Sequence, residues 1–170
     1  MTNRIKIKRF TADDAQAYRT IRLDALKQSP EAFGSTWEES KSRPLDQLTG
    51  FLTDEPDRFI LGAYLNDVLV GLVSFHRHGG KKMGHKGEVN QMYVAPEARG
   101  LGLGRLLIQE LINHARLLGD IESLLLSVVV DNDAARALYL SLGFTIYGCE
   151  AKALKQGDQY FDEELMELIL

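Results

Sequence analysis

At 170 residues, 45% hydrophobic and 26% charged, the chain has the size and make-up of one globular domain, residues 1–170, around a single core. Its 20 basic and 24 acidic side chains leave a net charge of −4, which gives no overall attraction to nucleic acid or to an anionic membrane. No apolar run is long enough for a bilayer, and the single cysteine, Cys149, rules out an internal disulfide.

Residues Arg4 to Phe10 alternate apolar and basic side chains, the period of a half-buried strand. Thr11 before two aspartates marks a helix start. Ala15, Tyr18, Ile21, Leu23, Ala25 and Leu26 then follow a helical stripe that Ser29-Pro30 ends. The stretch Glu31 to Glu39, with Phe33, Gly34 and Trp37, has no regular period and reads as an irregular segment lining a pocket. Pro44 opens a short helix from Leu45 to Leu52. Two apolar runs, Arg58–Leu65 and Val68–Phe75, flank Asn66-Asp67, a two-residue gap of the hairpin kind. His76, Arg77, His78, Lys81, Lys82, His85 and Lys86 form a basic cluster that reads as a solvated hairpin loop. Gly87 to Val94 is a further strand, expected antiparallel to its predecessor.

The helix predicted from Gly104 to Leu118 carries Leu107, Leu111, Ala115 and Leu118 on one face, and Gly119 caps it. Ser123 to Val130 is almost continuously apolar, as in a strand covered on both faces in a parallel pair, so strand, helix and strand make a right-handed crossover. Asp131 or Asn132 then caps a shorter helix that ends at Gly143. Strands near Thr145–Leu154 and Gln159–Leu168 follow, with a turn at Gln156-Gly157-Asp158. Cys149 is expected to be a small buried hydrophobe in the first of them. Leu165, Met166, Leu168, Ile169 and Leu170 make the last strand apolar on both faces, which points to a homodimer contact. The start MTNRIKIKRF is too charged for a signal peptide, so a reducing, cytoplasmic setting is expected.

Between the strand ending at Val94 and the following helix lies Arg99-Gly100-Leu101-Gly102-Leu103-Gly104-Arg105. Three glycines let a turn adopt positive φ and bring backbone N–H groups close to a ligand, and the helix start behind them favours an anion. Arg99 and Arg105 add charge suited to phosphate. The competing reading is that the glycines serve only close packing of a helix on a strand. A Walker loop is excluded because Arg105 and Leu106, not Lys-Ser/Thr, follow Gly104. A dinucleotide fingerprint fits poorly, since Arg105 stands where its third glycine belongs, although Asp131 does end the next strand.

The motif Arg99-x-x-Gly102-x-Gly104, followed by a buried strand and by NDAARALYLSLGF with Asn132 and Tyr139, resembles the GCN5-related N-acetyltransferase (GNAT) family, as does the early RTIRLDALKQSPEAFG. The resemblance implies an α/β acyl-CoA N-acyltransferase fold: a mixed, mostly antiparallel sheet of about seven strands with about four helices, splayed at a parallel strand pair. It implies an enzyme that moves the acetyl group of acetyl-CoA to a primary amine of a small molecule or peptide, with acetyl-CoA as cosubstrate and no metal. By this carry-over the N–H groups of Gly100, Leu101, Gly102, Leu103, Gly104 and Arg105, with Arg99, hold the pyrophosphate. The backbone of Met92, Tyr93 and Val94 bonds the pantetheine and thioester. Asn132 contacts the cofactor arm, Tyr139 points at the thioester sulfur, and Glu88 is the candidate base, with Glu38 and His76 as weaker substitutes. Phe33 and Trp37 are candidates for the acceptor wall, with Tyr160 and Phe161 behind them. A non-catalytic acyl-CoA-binding module is the alternative from another functional class.

Overall fold

A computed structural model describes residues 3–170. In chain order the strands are β1 Ile5–Arg9, β2 Arg58–Leu65, β3 Val68–Arg77, β4 Lys86–Val94, β5 Ser123–Val129, β6 Thr145–Gln156 and β7 Gln159–Ile169. The helices are α1 Ala15–Gln28, α2 Trp37–Ser42, α3 Leu45–Phe51, α4 Leu103–Leu117 and α5 Asp133–Ser141. All seven strands form one sheet in the order β1-β2-β3-β4-β5-β7-β6. Among the described residues no helix is long and apolar enough to cross a membrane.

Local chemistry explains most of these elements. Asn66 and Asp67 sit at φ 51° and 65°, a left-handed pair that these two residue types tolerate, and they close the β2–β3 hairpin. Helix α4 buries Leu103, Leu107, Ile108, Leu111, Ile112 and Ala115 along one stripe. It packs on the sheet face that carries Phe59, which lies 5.3 Å from the His114 ring. Helix α1 covers the opposite face, where the Tyr93 hydroxyl donates to Asp24 at 2.8 Å. At the start of α1, the Thr11 amide and hydroxyl and Lys8 all donate to Asp14. Burial raises the Asp14 pKa, but these bonds outweigh it and hold the carboxyl below its ordinary value.

The fifth helix, α2, begins inside the segment Glu31 to Glu39 that was expected to be irregular and runs past it to Ser42. Thr36 accepts from the Glu39 amide at 3.2 Å while the Glu39 carboxylate accepts from the Thr36 amide at 2.9 Å. That reciprocal cap holds a six-residue helix that lacks any buried side chain.

One expectation at the C-terminal end needs correction and another is narrowed. Cys149 is exposed, because β6 is the edge strand of the sheet and β7 comes between it and β5. For the same reason β7 is interior: Met166 and Leu168 are buried against the chain's own core, although Ile169 stays 68% exposed. One face of β7 is therefore used within the chain's own core, and only its other face, with Leu165 and Ile169, is left for the expected homodimer contact. The basic cluster also divides, since His76 and Arg77 belong to β3 and Lys86 to β4, while Lys81 and Lys82 occupy the turn.

Strands β4 and β5 run parallel for three residue pairs only, Lys86–Ser123, Gly87–Leu124 and Glu88–Leu125. Past Glu88 they part, and β5 continues on β7 up to Val129 while β4 continues on β3 up to Val94. The sheet thus opens as a wedge in its middle.

Candidate active site

The wedge is widest where β4 ends. Its β4 wall is re-aimed by a bulge: the β3–β4 register shifts between Leu72 and Ser74, and Gln91 takes φ 57°. The Tyr18 hydroxyl donates to Gln91 Oε1 at 2.8 Å and fixes this strained residue from α1. Beyond the bulge, Met92, Tyr93 and Val94 line a cavity of ≈ 730 Å³. The glycine turn and the α5 residues Ala135, Leu138 and Tyr139, with the cap Asn132, supply much of the remaining wall, and Phe33, Val129 and Phe161 also reach it.

The three glycines divide their work. Gly100 and Gly102 both have φ 78°, and a side chain at either would meet open space, so they are glycines for backbone conformation. Gly104 is helical, and a Cβ there would lie 3.1 Å from Met92 Cε and 3.3 Å from Leu138 Cδ2. It is a packing glycine, so the plainer reading of the motif holds at that one position. Helix α4 starts from Gly102, and its first internal bond runs from the Leu106 amide to the Gly102 carbonyl. The amides of Leu103, Gly104 and Arg105 thus precede the helical ladder and belong to its positive end. Arg99 and Arg105 stand on either side. Arg99 Nε donates to the Val94 carbonyl at 3.0 Å, and Arg105 Nη2 donates to Ser141 Oγ at 2.7 Å. The Leu101 side chain is exposed outside the cavity lining.

A second cavity, ≈ 940 Å³, opens on the α1 side of the sheet. The two share Phe33, Met92, Val129, Asn132, Ala135 and Tyr139 in their walls. Tyr139 therefore stands where they meet. Its ring packs against Phe144 at 5.8 Å, and burial alone pushes its phenol well above the ordinary value. Asn132 caps α5 by accepting from the Ala135 amide through Oδ1 at 3.2 Å, and it lines both cavities.

The remaining candidates fall outside this junction. Glu88 belongs to the last parallel pair and lines neither cavity, and its carboxylate is bonded to His78 Nε2 at 2.6 Å. His76, directly across from Glu88 on β3, does line the second cavity. His76, His78 and Glu88 bring ligand atoms within 4.8 Å of one another, a grouping that the sequence analysis did not anticipate. Trp37 and Glu38 belong to α2 and line neither cavity, and Lys41 Nζ lies 4.5 Å over the Trp37 ring. Tyr160 is exposed, whereas Phe161 reaches the wall of the first cavity. Arg22 and Glu163, not among the sequence candidates, line the second.

The model of the acetyltransferase (GNAT) family matches residues 21–144, which run from α1 through the wedge and glycine turn to the end of α5. The chain belongs to the GNAT acetyltransferase family. It is 33% identical over 133 residues to the mycothiol acetyltransferase of Paenarthrobacter aurescens, covering 77% of this chain and 39% of that protein. The chain thus spans well under half the length of that relative. It is 39% identical over 93 residues to the N-alpha-acetyltransferase RimI of Mycobacterium tuberculosis, covering 55% of this chain and 56% of that one. The GNAT fold extends over nearly the whole chain. A ribosomal-protein-alanine N-acetyltransferase from Brucella melitensis superposes with a TM-score of 0.83 at 27% identity, covering 97% and 99% of the two chains. The Salmonella typhimurium protein yncA, solved with acetyl-CoA, superposes at 0.84 over 98% and 94% of the chains; at 24% identity it shares the fold. In this GNAT domain the expected seven-stranded, centrally splayed sheet is present, with five helices around it.

Proposed function

We propose that this acetyltransferase moves the acetyl group of acetyl-CoA to a primary amine of a small molecule or peptide by direct attack in a ternary complex. The observation that carries this reading is the junction of two cavities at Tyr139. One cavity has a phosphate-binding turn at its mouth and is suited to acetyl-CoA, and the other admits an acceptor from the opposite side. The pyrophosphate is assigned to the N–H groups from Gly100 to Arg105, flanked by Arg99 and Arg105. The pantetheine arm is assigned to the backbone of Met92, Tyr93 and Val94 and to Asn132. Because Arg99 Nε already holds the Val94 carbonyl, the arginine orders that strand end as well as adding charge.

An amine of pKa ~10.4 needs ~4.6 kcal/mol to supply its free base at pH 7. Its nitrogen then attacks the thioester carbonyl, the C–S bond breaks, and the proton lost from nitrogen is balanced by one gained on sulfur. Glu88 is proposed as the base. It acts through water, since it stands beside His76 at the end of the acceptor cavity rather than in its wall. Glu88→Gln is expected to lower kcat about 100-fold at pH 7, and by much less near pH 10, where the amine is largely free base. Acetyl-CoA affinity stays unchanged. An unaltered kcat at pH 7 would take Glu88 out of the reaction.

The direct test is release of CoA thiol from acetyl-CoA with a panel of amines and N-terminal peptides, in the presence and absence of a metal chelator. Amine-dependent release unaffected by the chelator is the expected result. Binding of acetyl-CoA without release for any amine would favour an acyl-CoA-binding module. Loss of release with the chelator would assign a role to the His76, His78 and Glu88 cluster.

A further inference from the structure

Several arginines in this protein are matched to acids. Arg77 makes paired bonds to Asp120 at 2.8 and 2.6 Å and lies 2.7 Å from Asp57, and Arg136 holds Glu164 at 2.6 and 2.9 Å. Two arginines in the acceptor cavity are not. Arg22, on α1, lies over the Phe33 ring at 4.7 Å, and its buried Nη1 has no hydrogen-bond partner among the described residues. The charged or ionisable groups that reach it are Tyr18 and a second cation, Arg43; burial lowers its pKa, and no carboxylate offsets that. Arg58, at the start of β2, lies over Phe51 at 5.5 Å, donates to Thr53 Oγ1 at 2.9 Å, and has a buried Nε without a partner. Arg22, Arg58, Phe33 and Phe51 all line the same cavity.

A desolvated cation without an acid is unfavourable unless a ligand supplies the anion. A guanidinium stacked on a ring keeps its fork in a fixed plane, which suits a carboxylate. The acids of this cavity are placed differently. Asp57 is engaged with Arg77, Glu55 is exposed and joined to Arg58 through backbone only, and Glu163 pairs with Val129, which lines both cavities. Glu163 therefore places negative charge near the junction, while among the described residues the Arg22 and Arg58 side chains make no ion pair.

We propose that the acceptor is an amine that also carries a carboxylate, of the amino-acid type, with the carboxylate held by Arg22 and Arg58. This rests on the amine-acetylating reading above and names the substrate class of the same site. The two readings separate when binding is measured apart from turnover.

The experiment is titration calorimetry on the full chain saturated with CoA, which has no acetyl group to transfer. The probes are alanine, methionine, glutamate and lysine, each against its methyl ester, with alanyl-alanine against its amide and with phosphoethanolamine. At least one carboxylate is expected to bind about tenfold or more tightly than its neutral counterpart. That preference is lost in Arg22→Met and Arg58→Met and partly kept in Arg22→Lys. The thermal midpoint of Arg22→Met stays level or rises, because a buried cation without a partner is removed. The proposal is overturned if no acid outbinds its ester or amide, if the preference survives both methionine variants, or if phosphoethanolamine alone binds. A fall of several degrees in Arg22→Met would make Arg22 a packing residue and would equally overturn it. A bound amino acid that yields no thiol from acetyl-CoA would sink the transfer reading and leave the carboxylate site standing. Equal thiol release from acids and esters would do the reverse.

Discussion

Replacing Tyr139 by phenylalanine is expected to lower kcat about 100- to 1,000-fold while acetyl-CoA affinity stays within about twofold. The substitution removes one hydroxyl from a ring that is 5% exposed and packed on Phe144, so the walls of both cavities keep their shape. Burial holds the phenol above its ordinary value, so Tyr139 keeps its proton at neutral pH. A CoA thiol resembles a cysteine of pKa ~8.5, so complete transfer from the phenol to the sulfur is uphill. The role proposed for the hydroxyl is instead that of a hydrogen-bond donor to the charge that develops on sulfur as the C–S bond breaks, a gain realised in the transition state. Thiol-release kinetics and calorimetry with acetyl-CoA check the two halves separately. An unchanged kcat would remove Tyr139 from the chemistry, and a large loss of affinity would make it a binding residue.

Gly87→Ala is expected to destabilise the fold by about 1–3 kcal/mol, lowering the melting midpoint by roughly 3–10 °C. A Cβ at this position would lie 2.2 Å from Phe75 Cε2, 2.8 Å from Cζ and 3.1 Å from Leu124 Cδ2. Phe75 has no room to retreat: it is 1% exposed and stacked on Phe59 at 5.0 Å, and Phe59 is in turn backed by His114. Gly87 is also the middle of the three residues through which β4 pairs with β5, so strain there is felt at the apex of the wedge. Acetyl-CoA is therefore expected to bind more weakly to the variant. Combining Gly87→Ala with Phe75→Leu, which vacates the contested space, is expected to cost clearly less than the sum of the two single losses. Strict additivity in denaturant unfolding would show that the contact with Phe75 is not the cause.

The strand periods, the Asn66-Asp67 turn, the stripe of α4 and the glycine turn were all legible in the sequence because each is set by neighbouring residues. The sequence also contained the Thr36-x-x-Glu39 cap of α2, but Gly34 and the aromatic residues around it hid the pattern. Other features depend on the finished topology. Cys149 lies on a strand whose period suits burial, yet its exposure follows from β7 entering the sheet ahead of β6. The positive φ of Gln91 has no local signature, since glutamine does not favour it and Tyr18, 73 residues away, holds it there. Nor does a string of residues say that Arg22 lacks an acid, because the absence is decided by what α1 meets after folding. At the candidate site, the motif residues Tyr139 and Asn132 line the same two cavities. The second cavity takes much of its remaining wall from α1, β2, β3, β4, β5 and β7, elements far apart in the chain that share no motif.

The position of Cys149 sets a condition on how the reaction is followed. Any reagent that counts free thiols will meet one accessible sulfhydryl per chain before the first turnover. A stoichiometric burst in such an assay therefore belongs to the protein, and its size reports the active concentration of accessible thiol rather than acetyl transfer. The same sulfhydryl, on an edge strand that lines neither cavity, gives each molecule a single attachment point for a fluorophore or spin label. Binding of acetyl-CoA can then be followed from outside the wedge.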